Sequence, residues 1–148
     1  MACDGEIADE ELTLLKHYAT TSSFFETLDV EGKINEYVAE INLQGLDFLA
    51  GYLGDITDAA LDEQQELNVA RIAITMIEAD NKIQYQEVSF FKRIRERLHV
   101  SDEMLLEIFK TETLFEKFPE VEPEDFLMPD IKVFDDLQWN VKLQTIKL

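Results

Sequence analysis

Up to about residue 110, apolar side chains recur three and four residues apart, which is the spacing of helices that pack one face on a core. These runs predict helices over about 9–19, 30–44, 46–53, 58–79, 85–98 and 102–109. Asp29 and Ser101 are predicted N-caps, and Gly45 and Gly54 are predicted breaks. Phe24, Phe25 and Leu28 are predicted to fill the core from a loop. No strand-like alternation is sustained in this part of the chain, which is therefore predicted to be all-α.

The pattern changes in the last third of the chain, which holds all three prolines. Residues 119–125 are predicted to be an extended acidic linker. Between 131 and 144 apolar and polar residues alternate, as in a half-buried strand, and 135–136 suit a hairpin turn. A lone hairpin is marginal in water, so this tail must dock on its own helical body or on another chain. The predicted division is a helical domain at 1–110 and a linker with a β-like tail at 111–148.

The composition excludes several classes of function. The formal net charge is −19, which repels nucleic acid and anionic lipid and attracts cations or a basic protein partner. Cys3 is the single cysteine, so neither an internal disulfide nor a cysteine metal cluster can form. The sequence has no signal peptide and no apolar run long enough to span a bilayer, so a cytoplasmic location is expected.

A short motif occurs twice, 76 positions apart. The first copy has Asp4 and Glu11, the second has Asp80 and Glu87, and both follow the pattern D-[GN]-x-I-x-x-x-E before an apolar pair. The pattern equals the second half of a calcium-binding EF-hand loop. In the second copy Met76 stands at the first ligand position of such a loop, and a thioether there defeats calcium binding; in the first copy the corresponding residues do not exist or are apolar, so two EF-hands are rejected.

Two interpretations of the repeated motif remain. In the first, each aspartate bonds its own turn and each glutamate caps the following helix by accepting from a backbone N–H. In the second, the two copies pack together and the four carboxylates bind a divalent cation, such as Ca²⁺, Mn²⁺ or Mg²⁺. The residues of this predicted metal site are Asp4, Glu11, Asp80 and Glu87. A hydrolase that uses paired carboxylates is a remote third alternative.

Other candidate chemistry is sparse. The one basic cluster consists of Lys92, Arg93, Arg95 and Arg97, which either forms a solvated helix face or docks an acidic partner. His17 and His99 lack partner motifs, and there is no phosphate-binding glycine loop or hydrolase signature. The sequence therefore favours an interaction protein over an enzyme.

The two motifs, C-D-G-E-I-A-D-E-E at 3–11 and A-D-N-K-I-Q-Y-Q-E at 79–87, resemble the TerB-like family of tellurite-resistance proteins. The second is followed by SFFKRIRERLHVSDEML, which fits the helix, break and cap of that family. The likeness covers about residues 1–110. Family members usually carry a helix before the first motif, so the chain is expected to be a fragment or to lack that helix. The family pattern has glycine where this chain has Asn81, and it does not extend to the tail.

The resemblance implies an all-helical bundle with an internal pseudo-twofold repeat and an acidic surface cluster. It also implies a role in stress or metal-resistance assemblies through protein association, with divalent-metal binding and without catalysis. The function expected from the sequence is a non-catalytic acidic interaction module with protein partners. Pairing of copies through residues 131–148 is a further expectation.

Overall fold

The computed structural model of the chain describes residues 1–23, 25–129 and 142–148. Within these residues the chain is helical and has no strand, which confirms the all-α prediction. Short 3-10 helices lie at Ala2–Asp4 and Pro123–Phe126. The α-helices are α1 (Asp9–Thr21), α2 (Val30–Gln44), α3 (Leu46–Asp58), α4 (Glu63–Glu78), α5 (Tyr85–Arg95), α6 (Asp102–Phe109) and α7 (Leu114–Lys117).

The helix boundaries follow from side chains that cap exposed backbone N–H groups. Asp29 accepts from the N–H of Gly32 at 3.0 Å, and Ser101 accepts from the N–H of Met104 at 3.3 Å, so both predicted N-caps are confirmed. The predicted start of a helix at Asp58 is wrong, since that residue ends α3 and Asp62 caps α4. Gly54 does not break α3 either.

The error at Gly54 has a physical reason. A glycine inside a helix costs only about 1 kcal/mol relative to alanine, and packing can offset that cost. On α3 the buried side chains of Leu49 and Leu53 supply the packing. The chain instead leaves the helical path at Ala60, which has a positive φ of 48°. The predicted helix end at 98 is also too late, since α5 ends at Arg95.

The main core forms around α4, which packs against α5, α6 and α7. At its centre three fully buried rings meet, with centroid separations of 5.9 Å for Phe91–Phe109, 5.6 Å for Phe91–Phe126 and 6.3 Å for Phe109–Phe126. The acidic segment predicted to be extended is therefore partly helical: Pro123–Phe126 forms a 3-10 turn that places Phe126 in this core. The sequence pattern did not predict this turn because Phe126 is its only buried residue, and one apolar position shows no periodicity.

A second, smaller cluster lies between α1 and α2. Its buried members are Leu15, Val30 and Ile146, and the partly buried Phe25 packs against them. Leu28 is 47% exposed, so its predicted place in the core is wrong. Phe24 lies outside the described residues.

The C-terminal tail is described only from residue 142 onward. Most of the predicted hairpin, residues 131–141, lies outside the described residues. Residues 142–148 contain neither helix nor strand, and they dock on the helical body of their own chain along α2. Ile146 is 8% exposed and belongs to the second cluster.

A buried glutamate on α4 holds the connection between α5 and α6. Oε2 of Glu66 accepts from the backbone N–H of His99 at 2.7 Å and of Val100 at 2.8 Å, and Oε1 lies 2.9 Å from Nδ1 of His99. Burial opposes ionisation of Glu66, but these hydrogen bonds outweigh it, so the pKa of this carboxyl is below its ordinary value. The connection is therefore fixed by a carboxylate rather than by apolar packing alone.

We predict that Glu66→Ala lowers the free energy of unfolding by about 2–3 kcal/mol at pH 7, because the buried N–H of Val100 and the part-buried N–H of His99 lose their acceptor. The stabilisation from a carboxyl with a lowered pKa is complete above its unfolded pKa and is lost as pH falls through the folded pKa. The wild type should therefore lose more stability than the variant on acidification. Urea titrations at several pH values measure both effects.

The matched control for Glu66→Ala is Glu63→Ala, an exposed position one turn earlier on α4, where a change within about 0.5 kcal/mol is expected. Equal effects of the two substitutions would contradict the anchoring role of Glu66.

Candidate functional site

The two copies of the repeated motif form turns of the same construction. Gly5 and Asn81 both have positive φ, 98° and 61°, where glycine and asparagine are favoured. In the first turn Asp4 Oδ1 accepts from the N–H of Glu6 at 3.1 Å, and in the second Asp80 Oδ1 accepts from the N–H of Lys82 at 3.3 Å. The predicted turn architecture is therefore confirmed in both copies.

Each turn is followed by a helix that its glutamate caps. Oε2 of Glu11 accepts from the N–H of Ala8 at 2.9 Å, and Oε2 of Glu87 accepts from the N–H of Gln84, also at 2.9 Å. These are the glutamate halves of capping boxes, and both glutamates are buried. The predicted capping role of the two residues is confirmed.

The two turns also contact one another. The 3-10 helix Ala2–Asp4 packs against α5, and Nε2 of Gln84 donates to Oδ2 of Asp4 at 2.7 Å. The α-amino group of Met1 lies 3.0 Å from Oε1 of Glu11. The two copies of the motif thus lie side by side, with the buried carboxyl groups of Glu11 and Glu87 close to their contact.

The pKa values around this place are shifted by burial and by neighbouring charge. The pKa of Glu87 is raised to about 7, mainly by burial and also by the carboxylates of Asp80 and Asp4, while the N–H of Gln84 and the α-amino group of Met1 oppose the shift. Burial raises the pKa of the Cys3 thiol to about 11, which makes it a poor nucleophile. Burial lowers the pKa of the Met1 ammonium, but the surrounding acidic groups outweigh burial and raise it.

The oxygens of the four predicted metal ligands are largely engaged in turn and cap hydrogen bonds. In the described part of the chain, no group of three or more His, Cys, Asp or Glu side chains is arranged to hold a metal ion. Asp4, Glu11, Asp80 and Glu87 all lie in that part. Their assignment as metal ligands stays a prediction.

The basic cluster of α5 is engaged with neighbouring acidic groups. Nη2 of Arg95 lies 2.6 Å from Oδ1 of Asp102, and the guanidinium groups of Arg93 and Arg97 lie 3.8 and 3.3 Å from Oε2 of Glu96. The remaining member, Lys92, is half-buried. An acidic partner would have to compete with these ion pairs, so the docking role of Lys92, Arg93, Arg95 and Arg97 also stays a prediction.

A different site emerges along α2, where two asparagines hold the C-terminal segment. Nδ2 of Asn42 donates to the carbonyl of Leu143 at 2.8 Å, and Oδ1 of Asn42 accepts from the N–H of Leu143 at 2.7 Å. Asn35 does the same with Ile146, at 3.0 and 2.8 Å. Each asparagine thus satisfies both backbone groups of one residue, as a neighbouring β-strand would.

The distance between the two asparagines along α2 nearly equals the distance between the two residues that they bond along an extended chain. Asn35 and Asn42 are seven residues apart, two helical turns on one face and about 10.5 Å along the axis. Leu143 and Ile146 are three residues apart, which spans about 10 Å in an extended chain. The segment therefore runs extended and antiparallel to α2. Glu31 continues the row by accepting from the N–H of Leu148 at 2.7 Å.

These asparagines were not predicted from the sequence, because an amide carries neither the charge nor the nucleophile that marks candidate chemistry. A signal was present nonetheless. Asn35 and Asn42 adjoin the apolar residues Ile34 and Ile41 at the same seven-residue spacing, so they border the apolar face of α2. Amide side chains at such an edge can bond an adjacent backbone.

Comparison with known proteins found no match: no family model, no curated protein and no solved structure is similar to this chain. Among the described residues, no helix has the length and apolar character needed to cross a membrane.

The shifted pKa of Glu87 generates a prediction about stability and pH. Between its ordinary value of about 4.5 and its folded value of about 7, the native state binds more protons at Glu87 than the unfolded state does. This group therefore makes stability fall as pH rises through that window. We expect Glu87→Gln to be more stable than the wild type at pH 8 by at least about 1 kcal/mol, since one pKa unit corresponds to about 1.4 kcal/mol.

At pH 5 the advantage of Glu87→Gln should largely vanish, because the wild-type carboxyl is then protonated. Chemical denaturation at the two pH values measures the difference, with the exposed substitution Glu103→Gln as the control for net charge. A gap between variant and wild type that is the same at both pH values would contradict the raised pKa.

Proposed function

We propose that this chain is a non-catalytic, acidic helical interaction module of the TerB-like kind that holds an extended peptide segment along α2. The observation that carries the proposal is the pair of two-way hydrogen bonds from Asn35 and Asn42 to the backbone of residues Leu143 and Ile146. Placement in an intracellular stress or metal-resistance assembly is part of the proposal and rests on the resemblance of the two turn motifs to that family.

The chemistry of the α2 surface suits binding better than catalysis. Each asparagine contributes one donor and one acceptor to peptide backbone, and an amide has no titratable group for acid–base work at neutral pH. The apolar anchor Ile146 packs against Leu15 and Val30. Main-chain hydrogen bonds with side-chain pockets between them are a recurring mode of peptide recognition.

We predict that the double substitution Asn35→Ala and Asn42→Ala speeds tryptic cleavage after Lys142 by about tenfold or more. The four lost hydrogen bonds contribute roughly 0.5–1.5 kcal/mol each, so the released segment becomes available to the protease far more often. Mass spectrometry of the products over time identifies this cleavage among the others.

Asn68→Ala is the matched control for this test, because Asn68 lies on α4 and its side chain bonds only Gln64 within the described residues. If the double variant and the wild type were cleaved after Lys142 at the same rate while both remained folded, the asparagines would not hold the segment. The proposed function would then fail.

A second candidate function is divalent-cation binding at the two turns. It is favoured by one observation: the carboxylates of Asp4 and Asp80 both raise the pKa of buried Glu87, so negative charge from both turns reaches one carboxyl. A cation there would displace the proton of Glu87, and affinity should therefore increase as pH rises through about 7.

The cation hypothesis predicts a higher melting temperature in millimolar calcium or manganese, since a ligand of the native state stabilises it by mass action. Asp80→Asn combined with Glu87→Gln should remove the increase, and Glu103→Gln should keep it. Melting curves for the three proteins that do not move with either ion would exclude this function.

A further inference from the structure

We propose that the groove along α2 binds, in trans, a basic extended peptide of a separate partner protein, and that residues 142–148 occupy the groove as a competitor within the chain. This inference rests on the proposed function and names the class of partner. The hydrogen bonds, the apolar anchor, the charges and the open space beside the segment each constrain that partner.

The hydrogen bonds require an extended backbone and leave the sequence largely free. Asn35 and Asn42 bond only main-chain N–H and C=O groups of the segment, so any residue other than proline at these two positions can satisfy them. Glu31 likewise accepts from a main-chain N–H, that of Leu148. The three polar side chains thus select an extended backbone and not a particular sequence. Another extended chain can form the same main-chain hydrogen bonds with them.

Selectivity must therefore come from side chains, and one position dominates. Ile146 is the only buried side chain between residues 142 and 148, and it packs among apolar residues of α1 and α2. The partner peptide needs an aliphatic residue at this place. The partly buried Leu148 is a lesser contact two residues further on.

Charge adds a second requirement. The segment contains Lys142 and Lys147 and no acidic residue, in a chain with a formal net charge of −19. Nζ of Lys142 also donates to the carbonyl of Asn42 at 3.0 Å. A basic peptide is attracted to such a body and an acidic one is repelled, so a basic partner gains in association rate.

The segment leaves open space between itself and the first turn and α1, and no residue of α2 lines that space. A cavity of about 360 Å³ lies between residues 142–147 and a wall formed by Gly5, Glu6, Ile7 and Leu12. A partner with larger side chains on this side would gain contacts that the chain's own segment lacks. A separate peptide can therefore compete with the tethered segment, whose advantage is its high local concentration.

The test uses full-length protein and a fluorescein-labelled peptide of the sequence of residues 142–148 as the probe. Ile146→Asp in the protein should release the tethered segment and leave the groove intact. Fluorescence anisotropy should then show the peptide binding to this variant at least about tenfold more tightly than to the wild type, because the competitor is gone. Ile146→Ala should give an intermediate affinity.

Three controls make the result specific to the groove. Adding Asn35→Ala and Asn42→Ala to Ile146→Asp should abolish binding, whereas adding Asn68→Ala should not. A peptide with aspartate in place of the isoleucine should not bind to the Ile146→Asp protein. Circular dichroism confirms that each variant retains its helices.

If the segment is protected from trypsin by the two asparagines, but no peptide binds to the folded Ile146→Asp and Ile146→Ala variants, this inference fails and the proposed function stands. If the protection itself is missing, both fail. If sedimentation shows a concentration-dependent wild-type dimer that the double asparagine substitution abolishes, the occupant is a second copy of this chain, which overturns the assignment to a separate partner.

Discussion

Burying a carboxylate is costly unless hydrogen bonds compensate it, and this constraint organises the helical body. Glu11, Glu66, Glu78 and Glu87 are all buried. Two of them cap the helices that follow the repeated turns, Glu66 holds the connection to α6, and Glu78 accepts from Thr113 and Lys117 beside α7. The turn before α1 and the connections from α4 to α7 are thus fixed by carboxylates on the helices themselves.

The same body provides a surface for a segment that forms no regular structure of its own. α2 turns its apolar residues toward α1 and α3, and its asparagines stand at the border of that face. A backbone lying along this border loses its bonds to water, and the asparagine amides replace them. Ile146 adds apolar burial to the same contact. The position of α2 thus lets its amides bond the backbone of the segment while one side chain, Ile146, packs in the second cluster.

Much of the helical body was predictable from the sequence because local physics determines it. The caps Asp29 and Ser101, the left-handed positions Gly5 and Asn81, and the capping glutamates all act over four residues or fewer. Such short-range rules can be read from spacing alone.

The failures arose where tertiary packing decided the outcome. Gly54 stays inside α3 because the helix buries its leucines, and Phe126 enters the core from a segment whose prolines and acids predicted an open linker. Asn42 and Leu143 lie about 100 positions apart, so no local pattern could pair them. The turn and cap bonds of the two motifs were predicted, whereas the hydrogen bond from Gln84 to Asp4 that joins the two turns was visible only in three dimensions.

The most direct test of the peptide-holding surface is an NMR measurement on the wild-type chain in solution. We predict nuclear Overhauser effects from the side-chain amide protons of Asn42 to the backbone amide of Leu143, and from those of Asn35 to Ile146. The same asparagine amide protons should be shifted from their free positions. Amide resonances of Asn35 and Asn42 at random-coil positions, without cross-peaks to residues 143–146, would contradict the account.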